Sequence, residues 1–257
     1  MPRMPYILIG QAIILLVCLA AGDVSGSALL PAAAQPDSGI AGLSFGLKAG
    51  LSMAQHSGTE ERDAEYEVSS HWRTGYAVGA FLYLPVTSRF GLQQELFYVQ
   101  RGSRQDITVE ILDIQTVLHV TYDMDYIEIP VLLRFNWYRR NRNAIYSFAG
   151  TALSFKVKDH YTLDGVIDDG TEKVPLYAES DMSEVEMFDY SFVYGLGVDF
   201  SLFRIQFLLE YRFVIGWNRL EMPTYAYVPV GDEEILIDND PVPLKNQNHL
   251  VLIGITF

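Results

Sequence analysis

Apolar and polar residues alternate with a period of two through much of this chain. From Gly42 to Gln55 the sequence GLSFGLKAGLSMAQ sets Leu43, Phe45, Leu47, Ala49, Leu51 and Met53 against Ser44, Gly46, Lys48, Gly50 and Ser52. A period of two over this length predicts a β-strand whose faces meet different surroundings. The pattern returns in DYIEIPVLLRFNW, where Ile127, Ile129, Val131, Leu133, Phe135 and Trp137 oppose Glu128, Pro130, Leu132, Arg134 and Asn136. It returns again at Tyr190 to Phe200 and at Ile205 to Ile215. Weaker alternation predicts four more strands, near Thr74 to Leu84, Phe90 to Gln100, Ile145 to Val157 and Asn248 to Phe257. The faces of the third of these mix around Gly150, which suggests a bulge there.

The connections between the eight strands alternate in length. Pro85 to Arg89, Tyr138 to Ala144 and Ser201 to Arg204 are short, whereas the segments around 55–72, 101–122, 158–189 and 217–247 are long. Short turns therefore gather at one end of the sheet and long loops at the other, as in barrels that cross an outer membrane. The alternative is a soluble lipocalin-like barrel with its apolar face inward. The face opposite the apolar one decides between them. It carries Gly46, Gly50, Gly75, Gly79, Gly195 and Gly197, with charges in mid-strand at Lys48, Glu95, Glu128, Arg134, Glu210 and Arg212. Small residues beside long charged ones suit a crowded lumen, where charges from opposite walls pair. The expected fold is thus all-β, an eight-stranded antiparallel up-and-down transmembrane β-barrel with short periplasmic turns and long external loops. Tyr98, Trp137, Tyr138, Tyr190 and Trp217 fall near strand ends, where such a barrel carries aromatic girdles.

The N-terminus adds a compartment. Arg3, the apolar run IILLVCLAA and Ala32-Ala33-Ala34 follow the order of a secretory signal peptide, with cleavage expected after Ala34. The expected organisation is a signal over 1–34, a flexible leader over 35–41 and a barrel domain over 42–257. Export would place the barrel in the outer membrane by way of the periplasm. Cys18, the one cysteine, lies within the signal, so the mature barrel is expected to hold no disulfide. Removing the signal takes away one cation, Arg3, and one anion, Asp23, so the net charge of -14 belongs to the mature chain. That charge, with no basic patch among aromatics, argues against a nucleic-acid partner.

Several stretches give the chain a resemblance to a family. GLKAGLS, PVTSRFGLQQELFYVQRG, YIEIPVLLRF, YGLGVDF and FLLEYRF resemble the PorT-like outer-membrane β-barrel proteins over nearly the whole mature chain. The pair Glu128 and Pro130 is the most specific part, since proline is disfavoured within a strand. The resemblance implies an eight-stranded barrel in a Gram-negative outer membrane, with lipid around it. The last strand, with Val251, Ile253, Ile255 and Phe257 at alternate positions, resembles the signal read by the barrel-assembly machinery.

The chemistry is sparse. Glu95 and Glu128 are expected to oppose or flank Arg134, Glu210 and Arg212, either as an ion-paired plug or as a conduction path. The narrowness of eight strands favours the plug. His56, His71, His119, His160 and His249 lack zinc-ligand spacing, so neither a metal nor a cofactor is expected. No catalytic motif is present and no enzyme is expected, although a Ser-His pair assembled from separate strands would suit a lipid-modifying enzyme. Residues 159–189 hold ten acids, Asp159, Asp164, Asp168, Asp169, Glu172, Glu179, Asp181, Glu184, Glu186 and Asp189, against Lys173 alone. Asp232, Glu233, Glu234, Asp238 and Asp240 follow in the last loop. These are expected to be solvated acidic loops, open to an external protein or a divalent cation.

Overall fold

A computed structural model describes residues 42–57, 62–63, 66–111, 114–168, 173–180, 187–217, 220–230 and 233–257. The expected signal and leader, 1–34 and 35–41, lie outside the described residues. The described strands are β1 (Ser44–Ser57), β2 (Arg62–Asp63), β3 (Tyr66–Pro85), β4 (Phe90–Ile111), β5 (Ile114–Arg140), β6 (Asn143–Asp168), β7 (Lys173–Ser180), β8 (Phe188–Leu202), β9 (Ile205–Gly216), β10 (Leu220–Val230) and β11 (Glu233–Thr256). Every pairing is antiparallel. Eight strands run in the cycle β1, β3, β4, β5, β6, β8, β9, β11, and β11 returns to β1 through Leu51↔Val251 and its neighbours. The cycle is a closed barrel, so its wall has no free edge.

The apolar face looks outward. Phe45, Leu47, Leu51 and Met53 are exposed while Lys48 and Ser52, between them, are buried, and β8 and β9 follow the same alternation. From Phe207 to Trp217 the chain rises about 33 Å along the strand, or about 25 Å along an axis tilted by about 40°, the height of an outer-membrane apolar band. Aromatic pairs edge that band. Phe45–Phe257, Phe90–Phe135 and Phe135–Trp137 stand at the short-turn end, with ring centroids 5.4, 5.0 and 4.9 Å apart. Tyr76–Tyr98, Phe155–Phe188 and Phe192–Trp217 stand at the other end.

Three expectations change. Apolar alternation ends near Tyr98, so the sequence reads 101–122 as a loop, yet β4 and β5 stay paired from Phe90↔Phe135 out to Ile111↔Ile114. A membrane crossing needs about 9 to 11 residues; β4, β5 and β6 have 22, 27 and 26. Once the strand leaves lipid its outer face no longer has to be apolar, while its backbone still requires hydrogen bonds. The β6–β7 and β10–β11 pairs extend β-structure into the segments read as loops at 158–189 and 217–247. No bulge occurs at Gly150, which pairs regularly with Leu132 and Val193. The faces of β6 mix because Tyr146, Phe148 and Ala152 point into the lumen and are buried there. The register slips instead at Trp137 on β5 and Val157 on β6. Finally, the turn expected over Tyr138 to Ala144 tightens to Asn141 and Arg142 between β5 and β6.

The lumen glycines make room for rings. A Cβ on Gly197 would lie 2.3 Å from the Tyr146 ring, and one on Gly46 would lie 2.5 Å from Phe81. Each of these two glycines thus receives an aromatic side chain from the neighbouring strand, which helps to fill the narrow interior.

Two substitutions and a control test the inside–outside assignment by urea titration in lipid vesicles. Leu209→Arg, on the outer wall of β9, is expected to cost about 2 to 4 kcal/mol because it sets a charge against lipid. Gly197→Val is expected to cost about 1 to 3 kcal/mol through overpacking against Tyr146. Gly42→Val, at a position with open surroundings, is expected to stay within about 0.5 kcal/mol.

Candidate functional site

The inward face of the barrel carries its charges in three layers. In the middle layer, Lys48 from β1 donates to Glu95 on β4 at 2.6 Å and to both carboxylate oxygens of Glu210 on β9 at 2.7 and 2.8 Å. Arg212 donates Nη1 to Glu95 Oε2 at 2.6 Å and Nη2 to Glu210 Oε2 at 2.7 Å. Two cations and two anions balance, and Tyr146 and Gln93 add hydrogen bonds to Glu210 and Glu95 at 2.9 and 2.8 Å. Phe81 lies 4.6 Å from the Lys48 ammonium, and Phe97 and Phe148 flank Arg212 at 5.3 and 5.2 Å. A charge taken out of water is tolerated only when it is paired in this way.

The layer nearest the short turns is built on Arg134. It pairs with Asp199 on β8, donates Nε to Asn136 Oδ1 at 3.1 Å, and lies over the rings of Tyr146 and Tyr83 at 3.3 and 4.7 Å. The layer nearest the external end is built on Arg101, which pairs with Glu128 and reaches Asp189 at 3.5 Å; Asn246 donates to the same Asp189 oxygen at 3.1 Å. Apolar inward residues separate this layer from those below: Phe97 and Val99 between Glu95 and Arg101, Leu132 between Arg134 and Glu128, and Val193 between Asp199 and Asp189.

All six sequence-selected charges, Lys48, Glu95, Glu128, Arg134, Glu210 and Arg212, are buried in the lumen, but not as one group. Lys48, Glu95, Glu210 and Arg212 come together. Glu128 and Arg134 do not join them or each other, because six residues of one strand separate them by about 20 Å. Their partners, Arg101 and Asp199, were missed. The signal for Asp199 was its place on the small-residue face of β8; that for Arg101 was the continuation of β4's parity past Val99. Asp189, counted above among the loop acids, is buried beside Arg101. At the C-terminal strand, Val251, Ile253 and Phe257 are exposed on the outer wall and Ile255 is partly so; the Phe257 amide donates to Phe45 O at 2.9 Å.

The extension above the membrane has a cluster that no spacing reveals. Asp106 on β4 accepts from His119 on β5 at 2.6 Å through one carboxylate oxygen and meets His71 on β3 at 3.1 Å through the other. The hydrogen bond from His119, joined by the attraction of both imidazoles, holds the Asp106 carboxyl below its ordinary range. The cluster is not a metal site: among the described residues no group of three or more His, Cys, Asp or Glu side chains is arranged to hold a metal ion. A Ser-His contact also forms, Ser103 Oγ to His56 Nδ1 at 2.6 Å, with both side chains buried and the Tyr122 ring 5.8 Å from the imidazole. Of the acidic segments, the side chains at 168–176, 178–186 and 232–240 lie outside those described.

A lipid-facing apolar wall around a filled, ion-paired interior defines a small outer-membrane barrel. The chain belongs to the outer membrane protein beta-barrel domain family, whose profile matches residues 33–220, and it is an outer-membrane protein. It is similar to the solved structure of OprG from Pseudomonas aeruginosa, at 12% identity and a TM-score of 0.40, over 83% of this chain and 95% of that one. Ail of Yersinia pestis matches at 12% identity and a TM-score of 0.35, over 83% and 98%. Neisserial surface protein A matches at 11% identity and 0.34, over 84% and 100%. Among curated proteins, none matches the chain in sequence.

Two experiments test these assignments. A double-mutant cycle on Arg134 and Asp199 is expected to give a coupling energy of about 0.5 to 3 kcal/mol, and one on Arg134 and Glu128 close to zero. For Asp106, a lowered carboxyl contributes stability that is present at neutral pH and lost as pH falls through its lowered value. Amide protection from hydrogen exchange at residues 103–108 and 117–121, taken relative to the intrinsic rate at each pH, is therefore expected to fall in acid, and Asp106→Asn to show that lower protection already at neutral pH. The amides around Glu210 should be unaffected by the substitution.

Proposed function

We propose that this protein is a closed outer-membrane anchor and interaction scaffold, whose working surface is the β-structure standing beyond the membrane at the external end. The observation that carries the reading is the lumen. Three ion-paired layers fill it, apolar residues stand between the external layer and the two below, and each charge there is held by a partner. With chemistry confined in this way, selective contacts fall to the external end. The strands that rise beyond the lipid band, and the acidic segments joined to them, give that end its area and its negative charge. The partner class is an external protein or a divalent cation, and the reading is non-enzymatic. The narrower PorT-like resemblance is retained on the motif around Glu128 and Pro130; in support, Gln94 donates its side-chain amide to the carbonyls of both Pro130 and Glu95, at 3.0 and 3.3 Å, and so bridges β4 and β5 where proline has no N–H to give the ladder. During biogenesis the outward-facing Val251, Ile253, Ile255 and Phe257 are the contacts proposed for the assembly machinery.

The test is electrical and biochemical together. Purified protein in planar bilayers is expected to give no steady conductance, and stable ohmic steps from the unmutated protein would overturn the closed reading. Replacing residues 162–186 by a short Gly-Ser link is expected to leave the heat-dependent gel mobility of a folded barrel while removing calcium binding in calorimetry or cross-linked partners in cells. Full retention of both would move the functional surface elsewhere.

A further inference from the structure

The short-turn end of the barrel has the opposite charge to the chain as a whole. Arg89 lies in the β3–β4 turn, Arg139 and Arg140 end β5 beside the β5–β6 turn that holds Arg142, and Arg204 sits in the β8–β9 turn; all five are exposed. Among the described residues of this end the one acidic side chain is Asp199, which is buried against Arg134. Five guanidinium groups thus form a rim with no exposed acidic side chain, on a protein of net charge -14.

The rim is also held in shape. Arg142 Nη1 donates to Arg204 O at 3.3 Å, Gln206 Nε2 donates to Arg142 O at 3.3 Å, and the Ser201 amide donates to Asn143 Oδ1 at 3.1 Å, so two turns are tied together. The third is joined through the Asn136 amide, which donates to Arg89 O at 2.7 Å. Both central residues of the β8–β9 turn, Phe203 and Arg204, have positive φ, 50° and 69°, the twist that suits a two-residue hairpin. This conformation is uncommon for residues other than glycine, and it leaves Phe203 88% exposed at the tip.

The position of the rim identifies what it meets. The aromatic band of Phe45, Phe135, Trp137, Phe200, Phe207 and Phe257 ends at these turns, which sets the arginines at the level of the lipid head groups on the periplasmic side. Guanidinium groups pair with phosphate in bidentate fashion and stay charged at every physiological pH. We propose that the arginine rim binds the phosphate-bearing head groups of anionic phospholipids in the periplasmic leaflet, and so fixes the depth and tilt of the barrel from that side.

The test uses the whole protein reconstituted into vesicles of phosphatidylcholine containing spin-labelled phosphatidylglycerol or spin-labelled phosphatidylcholine, with the motionally restricted fraction read by electron spin resonance. Each arginine near an anionic surface strengthens association by about fivefold. A several-fold preference for phosphatidylglycerol is therefore expected, decreasing with salt and abolished when all five arginines are changed to Gln. Arg89→Gln, Arg139→Gln and Arg140→Gln combined spare the Arg142–Arg204 contact and are expected to lose part of the preference while keeping the gel mobility of the folded barrel. Inorganic phosphate is expected to displace no more labelled lipid than chloride at matched ionic strength; selective displacement would make the rim a site for free phosphate and overturn the proposal. Equal association of the two lipids with the unmutated protein, or an unchanged preference in the five-site variant, would also overturn it, and would leave an acidic periplasmic protein as the occupant to examine.

Discussion

Closing a sheet on itself with eight strands removes every edge from the barrel wall and encloses a lumen too narrow for bulk water but too wide to leave empty. The rest of the structure follows from filling that space. Lipid already surrounds the outer wall, so apolar side chains face outward and polar ones are directed into the middle. A polar group there must then find its partners across the barrel. Lys48, Glu95, Glu210 and Arg212 satisfy this on strands distant in sequence. Each of the four contacts oppositely charged groups, so removal of any one would leave a buried charge without compensation, a change that costs about 3 to 5 kcal/mol.

Ion pairs alone do not fill the lumen. Rings settle over glycines on neighbouring strands, as Tyr146 does over Gly197, and the same ring donates a hydrogen bond to Glu210 and lies against Arg134. One tyrosine therefore connects the middle layer with the layer near the short turns. Apolar residues also fill the space between the external charged layer and those below, at Val99, Leu132 and Val193. Solvation and pairing divide the molecule into a filled interior, a lipid-facing wall, a β-extension at the external end and a basic rim at the periplasmic end.

The sequence by itself determined the strands of the barrel, their faces and the alternation of short and long connections. It could do so because a two-residue period reports directly on a wall with lipid on one side and a packed lumen on the other. Signals tied to lipid stop where lipid stops, and for that reason β4 and β5 beyond Tyr98 read as loop: backbone pairing continued while the apolar-out pattern did not. Register and axial height, which only the closed barrel sets, decided the pairings. Glu128 and Arg134 share a face in the sequence but stand in different layers, and Arg101 and Asp199 took the places that sequence order had assigned to others. His71, Asp106 and His119 meet across three strands, and Arg89, Arg139, Arg140, Arg142 and Arg204 gather from three turns. Periodicity says which way a side chain points; the closure and tilt of the barrel decide how high it stands and whom it faces.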